Sequence, residues 1–523
     1  MTAGDRLRDA IQALEDGAFA TAARLAEPLY YADPARLESL LVLGLALSGC
    51  GHPDLAADLL DEVAARRPGA PHPAGDVVRL LDRAGRGDAV AAYFAAARAL
   101  APEDARLLVA EGEWRMEQGQ AGAARAALEA ALALRPDDGA AELALCTLMA
   151  EEGALDGAIA RLRRLLERTG PRPAALNNLG LALSHQGHFE EAFGNFRQAL
   201  ALAPGDDAIH LNHGMALLRA GRLAEGWPEF DRRRGLYGPP ALPPARLLAP
   251  LRPGQRLDGQ VVMATADRGF GDMLQFARYL PLLAERGARV LAWVPEELRR
   301  LFQGIPGVAE VLSGHVALPR LDAHCPFMRL AQVFGTTLET IPAGIPYITP
   351  DPALVPHRAA RLPPRAAGRR RVGLVWAGSP RSAAEPGRMD RRRSLPLAAL
   401  APLATVPGID WISLQKGETA RAQAPPPGLA LHDAMAEVRD FADTAALLAS
   451  LDAVVAVDTA IVHLAGAMGK PVLMLDRYDS CWRWLTGRED SPWYPTLRII
   501  RQERFGDWQP VVRRAAAILA DGR

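Results

Sequence analysis

Glycine recurs every 34 residues through the N-terminal half of the chain, and this spacing constrains the fold more than any other feature of the sequence. The phased glycines are Gly17, Gly51, Gly85, Gly119, Gly153, Gly187 and Gly221. Prolines keep the same spacing at Pro34, Pro68, Pro102, Pro136 and Pro204, with Pro171 one residue late. Seven 34-residue units therefore run in register from Ala3 to about Pro240. We expect two helices per unit, with the glycine in the turn between them and the proline after the second helix.

The sixth unit, residues 173–206, has small and apolar residues where two packed helices need them. They are Leu176, Leu179, Gly180, Leu183, Gly187, Ala192, Phe196, Ala199 and Pro204. The pattern and its period resemble the tetratricopeptide repeat. The resemblance implies an α-solenoid whose concave face, lined by the first helix of each unit, binds peptides or proteins.

The sixth position of each unit is a candidate contact for such a partner. Asparagine stands there only in the two units nearest the C-terminal half, as Asn178 and Asn212. The other five units carry Arg8, Val42, Asp76, Ala110 and Ala144. Because an amide can bind a peptide backbone without reading its sequence, both asparagines are candidate acceptor-binding residues. The alternative is that they are ordinary exposed polar residues.

Charge and cysteine content exclude several classes of protein. Sixty basic residues against 61 acidic ones give a net charge of -1, which offers no case for nucleic-acid binding. The four cysteines share no short spacing and form neither a redox pair nor a zinc motif. The N-terminus lacks the apolar core of a signal peptide, and no run of 18 apolar residues occurs. We therefore expect a cytoplasmic protein with no integral membrane segment.

The C-terminal half alternates short apolar runs with helical patterns, which predicts parallel α/β sheets. Predicted strands cover residues 260–264, 287–294, 371–378, 411–414, 453–457 and 472–475. Predicted helices cover residues 273–286, 460–468 and 508–520. The predicted divisions are a repeat array (3–240), a linker (241–257), a first α/β domain (258–350), a hinge (351–370) and a second α/β domain (371–523).

A polar turn, Asp458-Thr459, lies between the predicted strand at 453–457 and the helix that follows. In parallel sheets, ligands bind beyond the carboxyl ends of the strands. Backbone N–H groups at the start of the helix and the helix dipole favour a phosphate or diphosphate there. The alternative is that both residues only cap the helix, since Asp and Thr are good N-cap residues.

Other polar groups also stand where predicted strands end. Gly269 and Gly271 allow backbone to approach a bound group, and Asp272 is either a helix cap or a general base towards an acceptor hydroxyl. Arginines before the Ser394 segment are either clamps for a diphosphate or solvated surface residues; they are Arg388, Arg391, Arg392 and Arg393. Together these groups predict a ligand held in a cleft between two domains.

Three segments make the resemblance of residues 258–523 specific. They are Gly271-Asp272, Arg393-Ser-Leu-Pro396, and Asp458-Thr-Ala-Ile-Val-His463-Leu-Ala. They are similar to motifs of the GT-B glycosyltransferases near the bacterial heptosyltransferases, glycosyltransferase family 9. The order of repeats followed by a transferase also resembles the O-linked N-acetylglucosamine transferases. The resemblance implies two Rossmann-like domains with a cleft, a nucleotide-sugar substrate, no cofactor and no metal. It also implies that the last helix, at residues 508–520, packs back across the cleft.

The resemblance also assigns the candidate site. Asp272 is the catalytic residue, taking the acceptor proton. The candidate donor-binding residues are Gly271, Gly378, Arg393, Gln415, Lys416, Glu418, Asp458, Thr459, His463 and Leu464. In this mechanism Lys416, Arg393 and the Asp458–Thr459 turn stabilise the departing diphosphate by fixed charges and N–H groups.

Three functions are consistent with these features. The first is a glycosyltransferase whose repeats recruit a protein acceptor. The second is a transferase acting on a lipid-linked or surface polysaccharide acceptor. The third is an inactive transferase-like scaffold in which the repeats carry the function, and it is opposed by the joint presence of Asp272, Lys416, Asp458 and His463.

Overall fold

The computed structural model describes residues 2–15, 18–34, 36–52, isolated positions between 55 and 98, 103–237, 242–267, 269–378 and 391–522. Two compact units divide the chain, one ending at Leu165 and the other beginning at Leu166. The second unit contains the last two repeats together with both sheets. The boundary between the compact units therefore lies inside a repeat helix and not at the proline-rich segment near residue 240.

Paired helices fill the described part of the repeat region. They are α1 (Ala3–Glu15), α2 (Phe19–Ala32), α3 (Leu37–Gly49), α4 (Ala105–Glu117), α5 (Ala121–Leu134), α6 (Gly139–Glu151), α7 (Leu155–Thr169), α8 (Pro173–His185), α9 (Phe189–Leu202), α10 (Asp207–Arg219) and α11 (Leu223–Asp231). The first helices of the first, second, fourth, fifth, sixth and seventh units all begin at the same position of the 34-residue period. The predicted two-helix unit is confirmed for the first, fourth, fifth, sixth and seventh units. Most of the second helix of the second unit and most of the third unit, with Asp76 and Gly85, lie outside the described residues.

The phased glycines occupy the turns between paired helices, as predicted. Gly51, Gly119, Gly153, Gly187 and Gly221 all have positive φ, between 74° and 86°. This left-handed backbone ends the first helix of a unit and is strained for residues with a Cβ. The remaining phased glycine of the first unit, Gly17, lies outside the described residues.

Small residues inside the helices allow close packing of each pair. A Cβ on Gly180 would lie 2.9 Å from the ring of Phe196, and one on Gly214 would lie 2.5 Å from the backbone nitrogen of Phe230. These distances are shorter than van der Waals contact, so the helices of the sixth and seventh units meet through glycine.

Two glycines of the sixth unit give a matched test of the turn geometry. Gly187 has φ of +83° and Gly194 lies inside α9, and a Cβ at either position would meet no atom within 4 Å. We expect Gly187→Ala to lower the free energy of unfolding by about 1–2 kcal/mol through backbone strain alone. Gly194→Ala is expected to raise it by about 0.5–1 kcal/mol, because alanine favours the helix. Denaturant titrations followed by circular dichroism measure both, and changes of equal sign would contradict the assignment of Gly187 to a strained turn.

The first sheet has four parallel strands in the order β3-β2-β1-β4. Its strands are β1 (Val261–Thr265), β2 (Arg289–Trp293), β3 (Val308–Leu312) and β4 (Ala323–Pro326). The helices between and after these strands are α12 (Phe270–Phe276), α13 (Leu280–Glu285), α14 (Glu296–Phe302) and α15 (Leu330–Val333). The segment that leads to the second sheet contains α16 (Leu354–Ala359). Short 3₁₀ turns lie at Arg232–Tyr237, Pro244–Arg246, Ala277–Tyr279 and Phe327–Arg329.

The second sheet has six parallel strands in the order β10-β9-β8-β5-β6-β7. Its strands are β5 (Arg370–Val375), β6 (Ile409–Ser413), β7 (Leu431–Asp433), β8 (Ala453–Val457), β9 (Val472–Asp476) and β10 (Leu497–Arg501). Its helices are α17 (Glu418–Arg421), α18 (Phe441–Ala449), α19 (Ala460–Ala467) and α20 (Gln509–Ala520), with 3₁₀ segments at Leu397–Thr405 and Trp482–Trp484. The strand order reverses between β5 and β8, and a ligand crevice is expected at the carboxyl ends there.

Alternation along β8 divides the hydrophobic core of the second unit between two faces of this sheet. Val454 and Ala456 join a cluster that includes the first sheet and the last repeat helix. Val455 and Val457 join a separate cluster on the opposite face. Both faces of a central parallel strand are thus covered, which explains its uninterrupted apolar sequence.

Two predictions about helices are wrong in detail. The helix predicted from Met273 to Arg286 begins earlier, at Phe270, and breaks into α12 and α13 around a 3₁₀ turn. Pro281 explains the break, since it has no N–H to continue the hydrogen-bond ladder. The final helix, α20, does not cross a cleft: its buried side chains pack with strands of the second sheet and the 3₁₀ segment at Leu397–Thr405.

Candidate functional site

The candidate site forms where α12, after the first strand of one sheet, meets α19, after a strand of the other. A Cβ on Gly271 would lie only 2.6 Å from Cδ2 of His463, so glycine is needed for this approach. Two segments nearly 200 residues apart, Gly271-Asp272 and Asp458 to His463, are thereby brought together as the sequence motifs predict.

Asp272 lies in the first turn of α12 and forms a short ion pair with the guanidinium of Arg483. The Asp272 side chain is 22% exposed, while that of Arg483 is 9% exposed. Nε of Arg483 also donates to Oε1 of the buried Gln275 at 2.6 Å. Burial acts to lower the pKa of Arg483, but Asp272, Cys481 and Asp458 together outweigh it and the pKa is raised. Arg483 therefore stays charged and fixes the orientation of the Asp272 carboxylate.

His463 is buried against aromatic rings at the same place. Its Nδ1 shares a hydrogen bond of 3.0 Å with the hydroxyl of Tyr494, and its ring stacks on Trp484 with centroids 5.4 Å apart. Its Nε2 lies 3.9 Å from Oδ1 of Asp458. Burial lowers the pKa of His463 to about 4, although Asp458 opposes the shift and Arg483 adds to it. The imidazole is consequently neutral at physiological pH.

The buried histidine predicts a pH dependence of stability. Between about pH 4 and about 6.5 the unfolded state binds a proton at His463 that the folded state does not, so stability falls as the pH falls through this range. The expected loss from this residue is about 1.4 kcal/mol per pH unit, ending near the folded pKa. In a His463→Gln variant, the free energy of unfolding should change less steeply with pH between about pH 4 and about 6.5. The expected difference in slope is about 1.4 kcal/mol per pH unit, which corresponds to one proton. Parallel slopes for the two proteins would contradict the buried neutral imidazole.

The Asp458–Thr459 turn lies at the carboxyl end of β8. Thr459 occupies the N-cap position of α19 but makes no capping hydrogen bond with its side chain. Its Oγ1 is buried and finds no hydrogen-bond partner in the described part of the chain. The interpretation that Thr459 is present only as a cap is therefore wrong, and its hydroxyl is available to a ligand at the helix start.

Arg393 connects this turn to the end of β5. Its Nη1 donates to the backbone carbonyl of Asp458 at 3.1 Å. A Cβ on Gly378 would lie 2.6 Å from Nη2 of Arg393, so Gly378 makes room for the guanidinium. Gly378, Arg393 and Asp458 thus come together at the point where the strand order of the second sheet reverses. Arg388, the first arginine of this predicted group, lies outside the described residues.

Four predicted donor-binding residues have other contacts. Gln415 is buried and bonds to the backbone of Trp376 and Ala377, so it positions the loop after β5. Nζ of the exposed Lys416 donates to the carbonyl of Val438 at 3.0 Å, and Glu418 is exposed at the start of α17. Leu464 is fully buried in the core, so its assignment as a donor contact is corrected: it anchors α19 through packing.

The two candidate acceptor residues belong to one chain of amide hydrogen bonds. Nδ2 of Asn212 donates to Oδ1 of Asn177 at 3.0 Å, and Nδ2 of Asn177 donates to Oδ1 of Asn178 at 3.2 Å. The structure therefore joins Asn178 and Asn212 across neighbouring repeats through Asn177, which the position-by-position comparison of repeats did not single out.

Sequence reasoning also missed the residues that hold Asp272 and His463. They are Gln275, Arg483, Trp484 and Tyr494. Arg483 follows β9 in a loop rich in tryptophan, and Tyr494 lies close to it in sequence. An arginine between two tryptophans was the available signal, because guanidinium groups stack on aromatic rings.

Family models match three segments of the chain. Residues 115–179 and 173–206 each match a tetratricopeptide repeat model. Residues 415–504 match the model of glycosyltransferase family 9 (heptosyltransferase). The chain therefore combines tetratricopeptide repeats with a glycosyltransferase family 9 domain, and this domain supports a glycosyltransferase activity.

Among characterised proteins, the chain is similar to Protein FlbA of Caulobacter vibrioides, at 31% identity over 298 residues. The match spans 51% of this chain and 48% of that relative, so the chain aligns with about half of the relative's length.

Two solved structures are similar to part of the chain. A tetratricopeptide repeat protein from Parabacteroides merdae shares 12% identity at a TM-score of 0.38, covering 45% of this chain and 93% of its own. PilF of Pseudomonas aeruginosa shares 16% identity at a TM-score of 0.31, covering 40% of this chain and 94% of its own.

Two kinds of feature are absent from the described residues. No helix there is both long and apolar enough to cross a membrane. No group of three or more histidine, cysteine, aspartate or glutamate side chains within the described ranges is arranged to hold a metal ion.

Proposed function

We propose that this chain is a GT-B glycosyltransferase that moves a sugar from a nucleotide-sugar donor to a protein acceptor recruited by its repeats. The family 9 match over residues 415–504 supports the activity. The observation that carries the proposal is the contact of Gly271 with His463, which joins an acidic side chain of one parallel sheet to the polar strand ends of the other. Two parallel α/β sheets meeting at their ligand-binding ends are what a GT-B transferase requires.

The proposed reaction is a direct displacement at the anomeric carbon of the donor sugar. Asp272 would take the proton of the acceptor hydroxyl while the acceptor oxygen bonds to that carbon. The bond from the carbon to the diphosphate oxygen breaks, and the nucleoside diphosphate leaves with the electron pair. Arg483 would act as a positioning residue, because its largely buried guanidinium holds the Asp272 carboxylate.

Fixed charges would stabilise the leaving diphosphate. Arg393 lies at the Asp458 carbonyl, and the first N–H groups of α19 follow directly after Thr459. Guanidinium and helix N–H donors suit phosphate oxygens and need no rearrangement during the reaction. On this proposal the reaction proceeds without a metal, so turnover should survive EDTA.

A protein acceptor is supported by the last repeats being part of the same compact unit as both sheets. Trp227 of α11 packs on Trp482 with ring centroids 5.4 Å apart, so a partner held by the repeats would be held close to the candidate site. The alternative is that the sugar is transferred to a lipid-linked or polysaccharide acceptor. Mass spectrometry of co-expressed candidate proteins distinguishes the two, since only a protein acceptor gains the mass of a sugar.

Thermal unfolding against ADP, UDP, GDP, CMP and their sugar conjugates tests the donor half of the proposal. A ligand at about 100 times its Kd adds about 2.7 kcal/mol to the stability of the folded state. We expect stabilisation by one nucleotide class, weakened in an Arg393→Ala variant. An unchanged midpoint with every nucleotide would overturn the proposal and favour the scaffold, with the repeats as the functional part.

A further inference from the structure

Three guanidinium groups other than that of Arg483 surround the loop that follows β9. Nη2 of Arg219, the last residue of α10, donates to the carbonyl of Ser480 at 2.7 Å. Nη1 of Arg392 lies 2.8 Å from Oδ2 of Asp479, and Nε of Arg477 lies 3.4 Å from its Oδ1. We call Arg219, Arg392, Arg477 and Asp479 the arginine cluster.

The arginine cluster is largely buried, and its donors are not all used. The side chains of Arg477 and Asp479 are 8% and 5% exposed. Nε of Arg219, Nε of Arg392 and Nη1 of Arg477 are buried and have no hydrogen-bond partner among the described residues, whereas Nε of Arg477 faces Oδ1 of Asp479. Buried charged donors without acceptors destabilise a fold by more than neutral ones do. The cluster therefore offers several N–H groups to acceptor oxygens from outside.

The charges of the cluster do not balance. Three guanidinium groups face one carboxylate, which leaves two positive charges in excess among the described groups; the adjacent Asp476 is already paired with Arg501 at 2.7 Å. Burial lowers the pKa of Arg219 to about 10 although Asp479 opposes the shift. Burial and then the three arginines hold the pKa of His185 well below its ordinary value. Burial is the main cause of both shifts, and the positive charges of neighbouring arginines add to it.

We propose that the arginine cluster is an anion-binding site that takes a phosphate group. A phosphate carries between about one and a half and two negative charges at neutral pH, which matches the excess, whereas a carboxylate supplies only one. Guanidinium groups donate forked hydrogen bonds that fit its tetrahedral oxygens. The site uses a repeat residue, Arg219, together with residues of the second sheet, and it does not depend on the proposed transferase reaction.

The phosphate has two possible sources. Arg392 is the chain neighbour of Arg393, whose guanidinium bonds to the Asp458 carbonyl, so a phosphate of a nucleotide at that turn is one source. A separate phosphorylated compound or free phosphate is the other. Both are recognised by the same chemistry.

Titration calorimetry with inorganic orthophosphate and pyrophosphate, at constant ionic strength in chloride, tests the site. We expect saturable binding to the full chain and a loss of affinity of about tenfold or more in Arg477→Ala, in line with one charged hydrogen bond. Arg504→Ala, an exposed arginine of the same unit, is the matched control and should bind as the wild type does. The proposal would be overturned if the heats were no larger than those from titrating the chloride buffer alone. Equal affinity of the wild type and Arg477→Ala for phosphate would also overturn it.

A second variant changes affinity in the opposite direction and keeps the test valid if Arg477→Ala does not fold. Asp479→Asn removes the only carboxylate of the cluster and should bind phosphate more tightly than the wild type. Weaker or unchanged binding in Asp479→Asn would refute the site. If orthophosphate and the nucleoside diphosphate compete for binding, the cluster binds a phosphate of the nucleotide. If they bind independently, the cluster binds a separate ligand. Both results support an anion-binding site at the cluster. A chain that binds phosphate here but transfers no sugar would leave this inference standing while the proposed function fails.

Discussion

An Asp272→Asn variant is expected to lose about 10²- to 10⁴-fold in the rate of sugar transfer, the range that a positioned general base contributes. Asparagine has the same shape but cannot accept the acceptor proton. The measurement is release of nucleoside diphosphate from the nucleotide sugar that stabilises the wild-type chain, with acceptor present. Donor binding, followed by the shift of the unfolding midpoint, should persist, because Asp272 contacts the acceptor side of the proposed reaction.

Two controls separate this chemistry from a folding defect. Asp258→Asn changes an exposed aspartate paired with Arg256 at the surface and should transfer sugar at the wild-type rate. Circular dichroism must show the Asp272→Asn variant folded, because it leaves the largely buried Arg483 without its carboxylate partner. Full turnover by a folded Asp272→Asn protein would eliminate Asp272 as the base.

A Trp227→Ala variant is expected to lower the free energy of unfolding of the second unit by about 3–5 kcal/mol. Trp227 of the last repeat is 2% exposed and contacts Trp482, Phe276 and Trp493, with ring centroids 5.4, 6.3 and 6.4 Å away. Its Nε1 also donates to the carbonyl of Thr336 at 2.8 Å. Truncation leaves a cavity and an unpaired carbonyl where the repeat meets the sheets.

Denaturant titration followed by circular dichroism measures this loss without relying on tryptophan fluorescence. Leu202→Ala is the control, because Leu202 lies on α9 of the same unit and is 51% exposed; its effect should stay within about 0.5 kcal/mol. A Trp227→Ala protein as stable as the control would mean that the last repeat folds independently of the sheets.

Much of the fold follows from local patterns in the sequence. The 34-residue period places the starts of six described repeat helices, because helix ends depend on nearby glycine and proline. Six strands begin within two residues of their predicted starts, since buried parallel strands are continuous apolar runs. Strands β3 and β7 carry no such run and were not predicted.

Within the site, the residues recognisable by motif are those that adjoin a strand end, namely Gly271, Asp272, Asp458, Thr459 and His463. Their local sequence contains both the turn and the chemistry, so position along the chain is sufficient to find them. The lack of a capping hydrogen bond at Thr459 was not visible in the sequence, because a threonine at an N-cap looks the same whether or not its hydroxyl is engaged.

The sequence by itself determined the repeat unit, the parallel strands and the motif residues, each of which depends on neighbours within one turn or strand. Only the tertiary structure decided that Arg483 pairs with Asp272, 211 residues away, and that Gln415 and Leu464 support the site from inside. It alone brought Arg219 of a repeat to Asp479 and Arg477. The reason is that charge pairing and burial between distant segments depend on how sheets and helices pack, and no periodicity within a segment records them.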